Sequence, residues 1–325
     1  MHISDSLSLK NTARQRLEGN SAASRILLIY VGISFGCSLL SLLVSYFLDN
    51  QVNQFGGLGN LGIRTMLSSI GLALPLILSI GLMGLDLGYL GAMLRISRGQ
   101  YTSPNAFRLG YDRFWPFIRC QIIRMGIYFF YVLGAAYAAS LVFVLTPFSQ
   151  NAMALLGSGI PDPAAMDPEL AVQLLGAMAP MFLLYFVLLA VFLIPVFYAY
   201  RMAPYVILDK PGTGGFAALR ESTRMMRGNR KALFRLDLQF WWYYLLMLLS
   251  TALCYGDSLL PMFGIALPFS PEVCYFLFYF LYLATQFGIF WLFRNRVEVT
   301  YALAYDSVRP KEAENGVVLG NIFQM

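Results

Sequence analysis

The chain has 325 residues, of which 58% are hydrophobic and only 12% are charged, and its formal net charge is +6. Soluble domains carry about 25% charged residues, so this composition excludes an ordinary soluble protein. Six long apolar segments divide the sequence, and a helix needs about 20 apolar residues to cross a bilayer. We therefore predict an all-α, polytopic helical membrane protein with six transmembrane helices arranged as three hairpins.

The predicted elements follow one another in a simple order. Residues 1–25 form a cytoplasmic N-terminal tail, residues 26–293 a six-span membrane domain, and residues 294–325 a cytoplasmic C-terminal tail. The predicted spans are 26–48, 66–94, 116–146, 172–200, 236–256 and 273–293. The first span is an apolar run of 23 residues and is followed by DNQVNQ rather than by small residues. It is therefore a retained helix and not a cleaved signal peptide.

Lysine and arginine are concentrated on one side of this layout. If the N-terminus is cytoplasmic, the cytoplasmic segments hold 22 of the 23 basic residues, and only Arg64 lies outside. Short cytoplasmic loops of membrane proteins carry an excess of basic residues. We therefore expect both termini to face the cytoplasm.

Each of the two cytoplasmic loops contains a predicted amphipathic helix that lies in the membrane interface. In the first loop, Ser103 and Pro104 form a helix start, since serine caps a helix and proline fits its first turn. The basic residues that we expect to contact anionic headgroups or a protein partner are Arg108, Arg113, Arg220, Arg224, Arg227, Arg230 and Lys231. Each contributes about 1 kcal/mol at best near an anionic surface. Nucleic acid is disfavoured as a partner, because these residues adjoin apolar spans and have no aromatic stacking platform.

Two further segments resemble each other. YAYRMAPYVILD (198–209) and VEVTYALAYD (297–306) both lead from a basic residue through tyrosines to an aspartate. This sequence similarity at the ends of two even-numbered spans indicates that the hairpins arose by duplication.

Asp86 is an acidic residue inside the second predicted span. It lies nine residues before Arg95, which is about 13 Å of helix and close to the bilayer midplane. A charge there costs about 2.5–3.5 kcal/mol, so it is expected to face the bundle and to have a partner. We predict an intramembrane pair with Arg124, eight residues into the third span. The alternative is that Asp86 couples an ion or a proton.

The residue types needed for common catalytic or metal sites are scarce. His2 is the single histidine, and the cysteines at 37, 120, 254 and 274 lie in or beside apolar segments without a CxxC spacing. Buried cysteines of this kind behave as small hydrophobic residues. We expect a protein that is not an enzyme and that has no metal or cofactor.

The segment ALRESTRMMRGNRKALFRLDLQFWWYYLL (218–246) resembles the most recognisable motif of the bacterial membrane proteins of domain-of-unknown-function family 975. The matching residues are Ala218, Leu219, Ser222, Met225, Met226, Gly228, Leu233, Phe234, Leu236, Leu238 and Phe240. TYALAYDSV (300–308) and LRISRG (94–99) are similar to two further parts of that family. This chain departs from the pattern at Arg230, where lysine is common. The resemblance implies a multi-pass protein of the bacterial cytoplasmic membrane and no particular activity.

Two functions are compatible with these features. The first is a membrane-organising or accessory protein whose basic cytoplasmic helices contact anionic lipid or a protein partner. The second is a transporter of a small or lipid-like substrate, with Asp86 as a binding or ion-coupling residue. The scarcity of polar residues within the spans favours the first function, and a water-accessible cavity converging on Asp86 would favour the second.

Overall fold

The computed structural model describes residues 6–18, 20–54, 61–156, 168–262, 265 and 268–309, and the regular structure in these ranges is helical. The helices are α1 (Ser6–Glu18), α2 (Ala22–Gln54), α3 (Leu61–Ser97), α4 (Ala106–Asp112), α5 (Phe114–Val144), α6 (Pro147–Leu156), α7 (Pro168–Tyr200), α8 (Ala203–Asp209), α9 (Gly215–Met225), α10 (Arg230–Gln239), α11 (Trp241–Cys254), α12 (Gly256–Met262), α13 (Pro271–Ile289) and α14 (Asn295–Val308). A π-helical turn, Phe290–Arg294, joins α13 to α14. The predicted all-α class is confirmed.

Five helical segments of the described chain are long and apolar enough to cross a membrane. They are Ala22–Val52, Thr65–Ser97, Phe114–Val144, Val172–Asp209 and Glu272–Val308. The predicted fifth span, 236–256, is instead divided at Phe240 between α10 and α11. With 14 residues, α11 is shorter than the roughly 20 residues that a bilayer requires. The six spans predicted from the sequence therefore correspond to five long helices and one short apolar helix.

The long helices have two different halves. In α3, Leu72 is 78% exposed, whereas from Leu85 onward the apolar side chains are buried. In α5 the order is reversed, because Phe117 is buried near its start and Phe130 is 73% exposed further along. Large exposed apolar side chains therefore form a belt around one part of the bundle, which we call the apolar belt. The core lies at the other end, which we call the core end.

The core end is assembled from the ends of the long helices and from short helices that pack between them. α3 packs against α4, α5 against α9, and α8 against both α3 and α9. Glycines permit the closest approach: a Cβ on Gly88 would lie 2.6 Å from the Cα of Phe107, and a Cβ on Gly110 would overlap the backbone of Gly84. Small residues let helix backbones meet in this way.

Both ends of the described chain belong to this core. α1 buries Leu9 and Ala13 inside the region that we predicted to be an N-terminal tail. α14 buries eight residues beyond the predicted boundary at residue 294, among them Tyr301 and Tyr305. α1 and α14 pack against each other, so the two ends of the described chain lie at the same end of the bundle.

Candidate functional site

Asp86 lies where α3 passes from the apolar belt into the core, and side chains from two other helical segments bind it. Arg294 Nη2 donates to Asp86 Oδ1 at 2.6 Å, and the Tyr30 hydroxyl donates to the same oxygen at 3.2 Å. The Arg294 guanidinium also stands over the rings of Tyr30, Tyr89 and Phe290, at 4.3, 5.1 and 4.6 Å from their centroids. Contacts with aromatic faces stabilise a desolvated cation. Arg294 is therefore a fixed positive charge beside Asp86.

This arrangement corrects the predicted partner of Asp86, which was Arg124. The ion pair is made by Arg294, because α13 continues through the π-helical turn into α14, and α14 packs along α3. The prediction placed residue 294 in a tail and considered only the neighbouring third span. Arg124 projects from α5 toward the same region, and its buried Nε has no hydrogen-bond partner within the described residues.

A polar cavity of about 120 Å³ opens beside Asp86, where the apolar belt meets the core end. Its charged and polar lining residues are Asp86, Gln121, Arg124, Arg201, Tyr205 and Glu298. The Tyr205 hydroxyl donates to Glu298 at 3.3 Å, and the Arg201 guanidinium lies 4.4 Å from the centroid of the Tyr301 ring. At ~30 Å³ per molecule the cavity has room for about four waters. It is suited to hold water or a small charged solute.

The charges in this cavity are only partly compensated. Neither the Arg124 nor the Arg201 side chain makes an ion pair or a hydrogen bond in the part of the chain that the structure describes. Sequence reasoning missed Arg201 and Glu298, although both lie in or beside the two tyrosine-rich segments that resemble each other. A charged residue within such an apolar, tyrosine-rich stretch was the available signal. Among the described residues, no group of three His, Cys, Asp or Glu side chains is placed to hold a metal.

A second charged cluster ties together the ends of α3, α8 and α14. Arg98 binds Asp209 at 2.8 Å and Asp306 at 2.7 Å. Asp209 also accepts hydrogen bonds from the Tyr305 hydroxyl at 3.0 Å and from Arg309 at 3.2 Å. Burial alone would lower the pKa of Arg98, but its hydrogen bonds to the two carboxylates outweigh burial and raise that pKa. The aspartates that end the two similar segments thus share one arginine.

The predicted basic residues occupy the outer side of the short helices. Arg108, Arg220, Arg224, Arg227 and Lys231 are exposed, whereas Arg113 and Arg230 are half-buried. Arg220, Arg224 and Arg227 line a cleft of about 400 Å³ together with Thr223, Leu219, Phe216, Tyr200 and Ile127. We call this the arginine cleft. It lies between α9, α5 and the end of α7.

The opposite side of α9 is fixed in the core. A Cβ on Gly215 would lie 2.5 Å from the backbone nitrogen of Cys120, so α9 begins directly against α5. The Ser222 hydroxyl donates to the Ala199 carbonyl at 2.7 Å and accepts from the Met202 amide at 3.2 Å. These contacts position the arginine cleft beside the end of α7.

The model of the family described as "Protein of unknown function (DUF975)" matches residues 1–312. The chain belongs to this family. No curated protein and no solved structure matches it. In this DUF975 chain most residues of the motif at 218–246 are structural: Ala218, Leu219, Ser222, Met225, Met226, Leu233, Leu236 and Phe240 are buried. Its Gly228 has φ +83°, a left-handed conformation that favours glycine in the turn between α9 and α10.

Proposed function

We propose that this protein is a non-enzymatic membrane accessory protein that holds anionic lipid against the basic outer side of its core end. The observation that carries the proposal is the position of Arg220, Arg224 and Arg227. These exposed arginines lie beside the end of α7, close to where the apolar belt begins on α5. Negative headgroups are found at this level of a bilayer, and each nearby arginine is worth about 1 kcal/mol.

The proposed layout has six crossings in three hairpins, formed by α2 with α3, α5 with α7, and α11 with α13. Each of these pairs packs together. An even number of crossings is supported by the contact between α1 and α14, because it brings the two ends of the described chain to one side. α11 would complete the sixth crossing together with the chain that follows it. The basic loops argue that this side is the cytoplasm of a bacterial cell, with α4 and α9 as interfacial helices.

The layout has a direct test in a variant that lacks the four native cysteines. Single cysteines at Asn11 and Gly212 are expected to resist a membrane-impermeant thiol reagent in intact cells and to react after the membrane is opened. A cysteine at Asp162 is expected to react in intact cells, and one at Asn315 is not; both positions lie outside the described residues. Labelling at Gly212 in intact cells would overturn the layout.

The lipid proposal is tested on the full-length protein extracted with its surrounding lipid in polymer-bounded discs. The wild type is expected to retain a larger share of anionic lipid than a variant with Gln at Arg220, Arg224, Arg227, Arg230 and Lys231. High salt present during extraction is expected to reduce the difference, because exposed charges are screened over about 8 Å at physiological ionic strength. An unchanged lipid composition in the variant would refute the proposal.

A transporter is the second candidate, and the polar cavity beside Asp86 is the observation that favours it. Its position at the core end argues against this function, because transporter sites lie near the middle of the membrane. The two functions differ in access. In a transporter, a cysteine in place of Gln121 is expected to react with impermeant reagents from either side and to be protected by substrate. Reaction from the cytoplasmic side alone would support the accessory function.

A further inference from the structure

The arginine cleft combines two kinds of surface that differ sharply in polarity. Arg220 and Arg224 lie on the outer side of α9, and Arg227 lies in the turn that follows it. At 1.5 Å per residue, Arg220 and Arg224 are about 6 Å apart along the helix axis. The remaining lining residues include the apolar side chains of Ile127 and Phe216, and Phe216 is 68% exposed.

The positive charge of the cleft is only partly neutralised. Glu221 pairs with Arg224 at 3.3 Å, but it is also 3.8 Å from Lys210. The side chains of Arg220 and Arg227 have no ion pair or hydrogen bond within the described ranges of the chain. The cleft therefore presents more positive than negative charge. An anion with several acceptor oxygens, such as a phosphate diester, complements three guanidinium groups.

An apolar path leads away from the cleft along α5. Ile127 lines the cleft, and Phe130, Tyr131 and Gly134 follow it at the spacing of one helical stripe. Phe130 is 73% exposed, and a Cβ on Gly134 would have no neighbour within 4 Å. This stripe continues into the apolar belt. A molecule with a charged head in the cleft would have its chains lying against α5.

We infer that the arginine cleft is a discrete binding site for one anionic phospholipid, with the phosphate among Arg220, Arg224 and Arg227 and an acyl chain along the Ile127 stripe of α5. The inference rests on the proposed lipid-holding function and gives it a defined site. It also distinguishes these three arginines from the other basic residues of the core end, which contribute only general attraction.

The experiment compares two triple variants of the full-length protein after its lipid has been exchanged for detergent. One variant carries R220Q, R224Q and R227Q. The matched control carries R95Q, R119Q and R235Q, three exposed basic residues outside the cleft. Both variants lose the same charge. Binding is measured by native mass spectrometry and by the rise in melting temperature, with phosphatidylglycerol, with phosphatidylcholine, and with glycerol phosphate as the soluble headgroup alone.

The affinities of the wild type and the control for phosphatidylglycerol are expected to agree within about twofold. The cleft variant is expected to bind this lipid at least about tenfold more weakly, because each arginine contributes to holding the phosphate. F216A is expected to weaken lipid binding without changing the response to glycerol phosphate. Equal weakening in both triple variants would refute the discrete site and leave the general lipid-holding function intact. No weakening in either would refute both. Glycerol phosphate acting as strongly as phosphatidylglycerol would show that the ligand is not a lipid.

Discussion

The contact between Asp86 and Arg294 predicts a strong energetic coupling between two residues that are far apart in sequence. The perturbations are D86N and R294Q, singly and together. Asparagine keeps a carbonyl oxygen that can accept from Tyr30, so the single variant mainly removes charge. A parallel set combines D86N with R124Q, because Arg124 lines the same cavity without an ion pair in the described part of the chain.

The magnitude follows from the geometry. A hydrogen bond between charged groups contributes about 1.5–3 kcal/mol, and breaking a fully buried pair costs about 3–5 kcal/mol. The Arg294 side chain is 12% exposed, but that of Asp86 is 38% exposed and faces a cavity with room for water. We therefore expect a coupling free energy near the lower end, about 1.5–2 kcal/mol, for Asp86 with Arg294. For Asp86 with Arg124 we expect a smaller coupling, about 0.5 kcal/mol, because the two side chains line one cavity without forming an ion pair.

The assay is reversible unfolding in mixed micelles, followed by helical circular dichroism, for the wild type and the variants of each cycle. Each coupling free energy is the change in the free energy of unfolding caused by the double substitution minus the sum of the changes caused by the two single substitutions. If the coupling with Arg124 equals or exceeds that with Arg294, the reasoning from the observed ion pair is refuted. Asp86 would then interact with Arg124 through the cavity, as the sequence alone suggested.

Three further predictions concern the core end. R98Q is expected to lower the free energy of unfolding by about 2–3 kcal/mol, because Asp209 and Asp306 both lose their shared arginine. The control R95Q, at an exposed position nearby, is expected to change it by less than about 0.5 kcal/mol. Similar effects of the two variants would contradict a stabilising role of the ion pairs made by Arg98. G88A is expected to be destabilised by about 2 kcal/mol or more, because the added methyl meets the Phe107 backbone. A Cβ on Gly126 of α5 would lie in open space, so G126A is expected to gain up to about 1 kcal/mol of stability. Equal melting temperatures for the two glycine variants would contradict the close packing of Gly88 against the Phe107 backbone. S222A is expected to lower the free energy of unfolding by about 1–3 kcal/mol, because the buried Ala199 carbonyl loses its donor. S79A, on the exposed part of α3, is expected to change the melting temperature little. Equal losses of stability in the two variants would show that the buried hydrogen bonds of Ser222 do not stabilise the fold.

The helical class was predictable because apolar composition and segment length are local properties of a sequence. The residue at which a long helix passes from exposed to buried side chains was not predictable in the same way. Residues 85–94 are as apolar as residues 63–80, and only their burial separates them. Asp86 lies where the exposed apolar part of α3 gives way to its buried part, and the sequence alone did not show this boundary.

The partners of the charged residues were harder to predict than the residues themselves. Asp86 was identified from its position in an apolar segment, but its partner Arg294 comes from the π-helical turn before the last helix. The site residues Arg201 and Glu298 lie in segments whose similarity was noticed, yet similarity does not show that two segments meet in space. The basic outer side of α9 was predictable from spacing alone, because Arg220 and Arg224 are four residues apart. Arg227 continues this spacing in the sequence but lies in the turn after the helix.

The packing of α14 into the core also has a consequence for how the protein is made. Asp86 and Arg294 are 208 residues apart, and so are Arg98 and Asp306. At about 5–20 residues per second, a ribosome needs about 10–40 s to add that length. During this interval Asp86 and Arg98 are already synthesised, but Arg294 and Asp306 do not yet exist; of their other partners, Tyr30 precedes Asp86 in the chain, and Asp209 follows Arg98 by 111 residues. The early helices therefore hold these charges without their full set of ion pairs, and the core closes only when nearly the whole described chain has emerged.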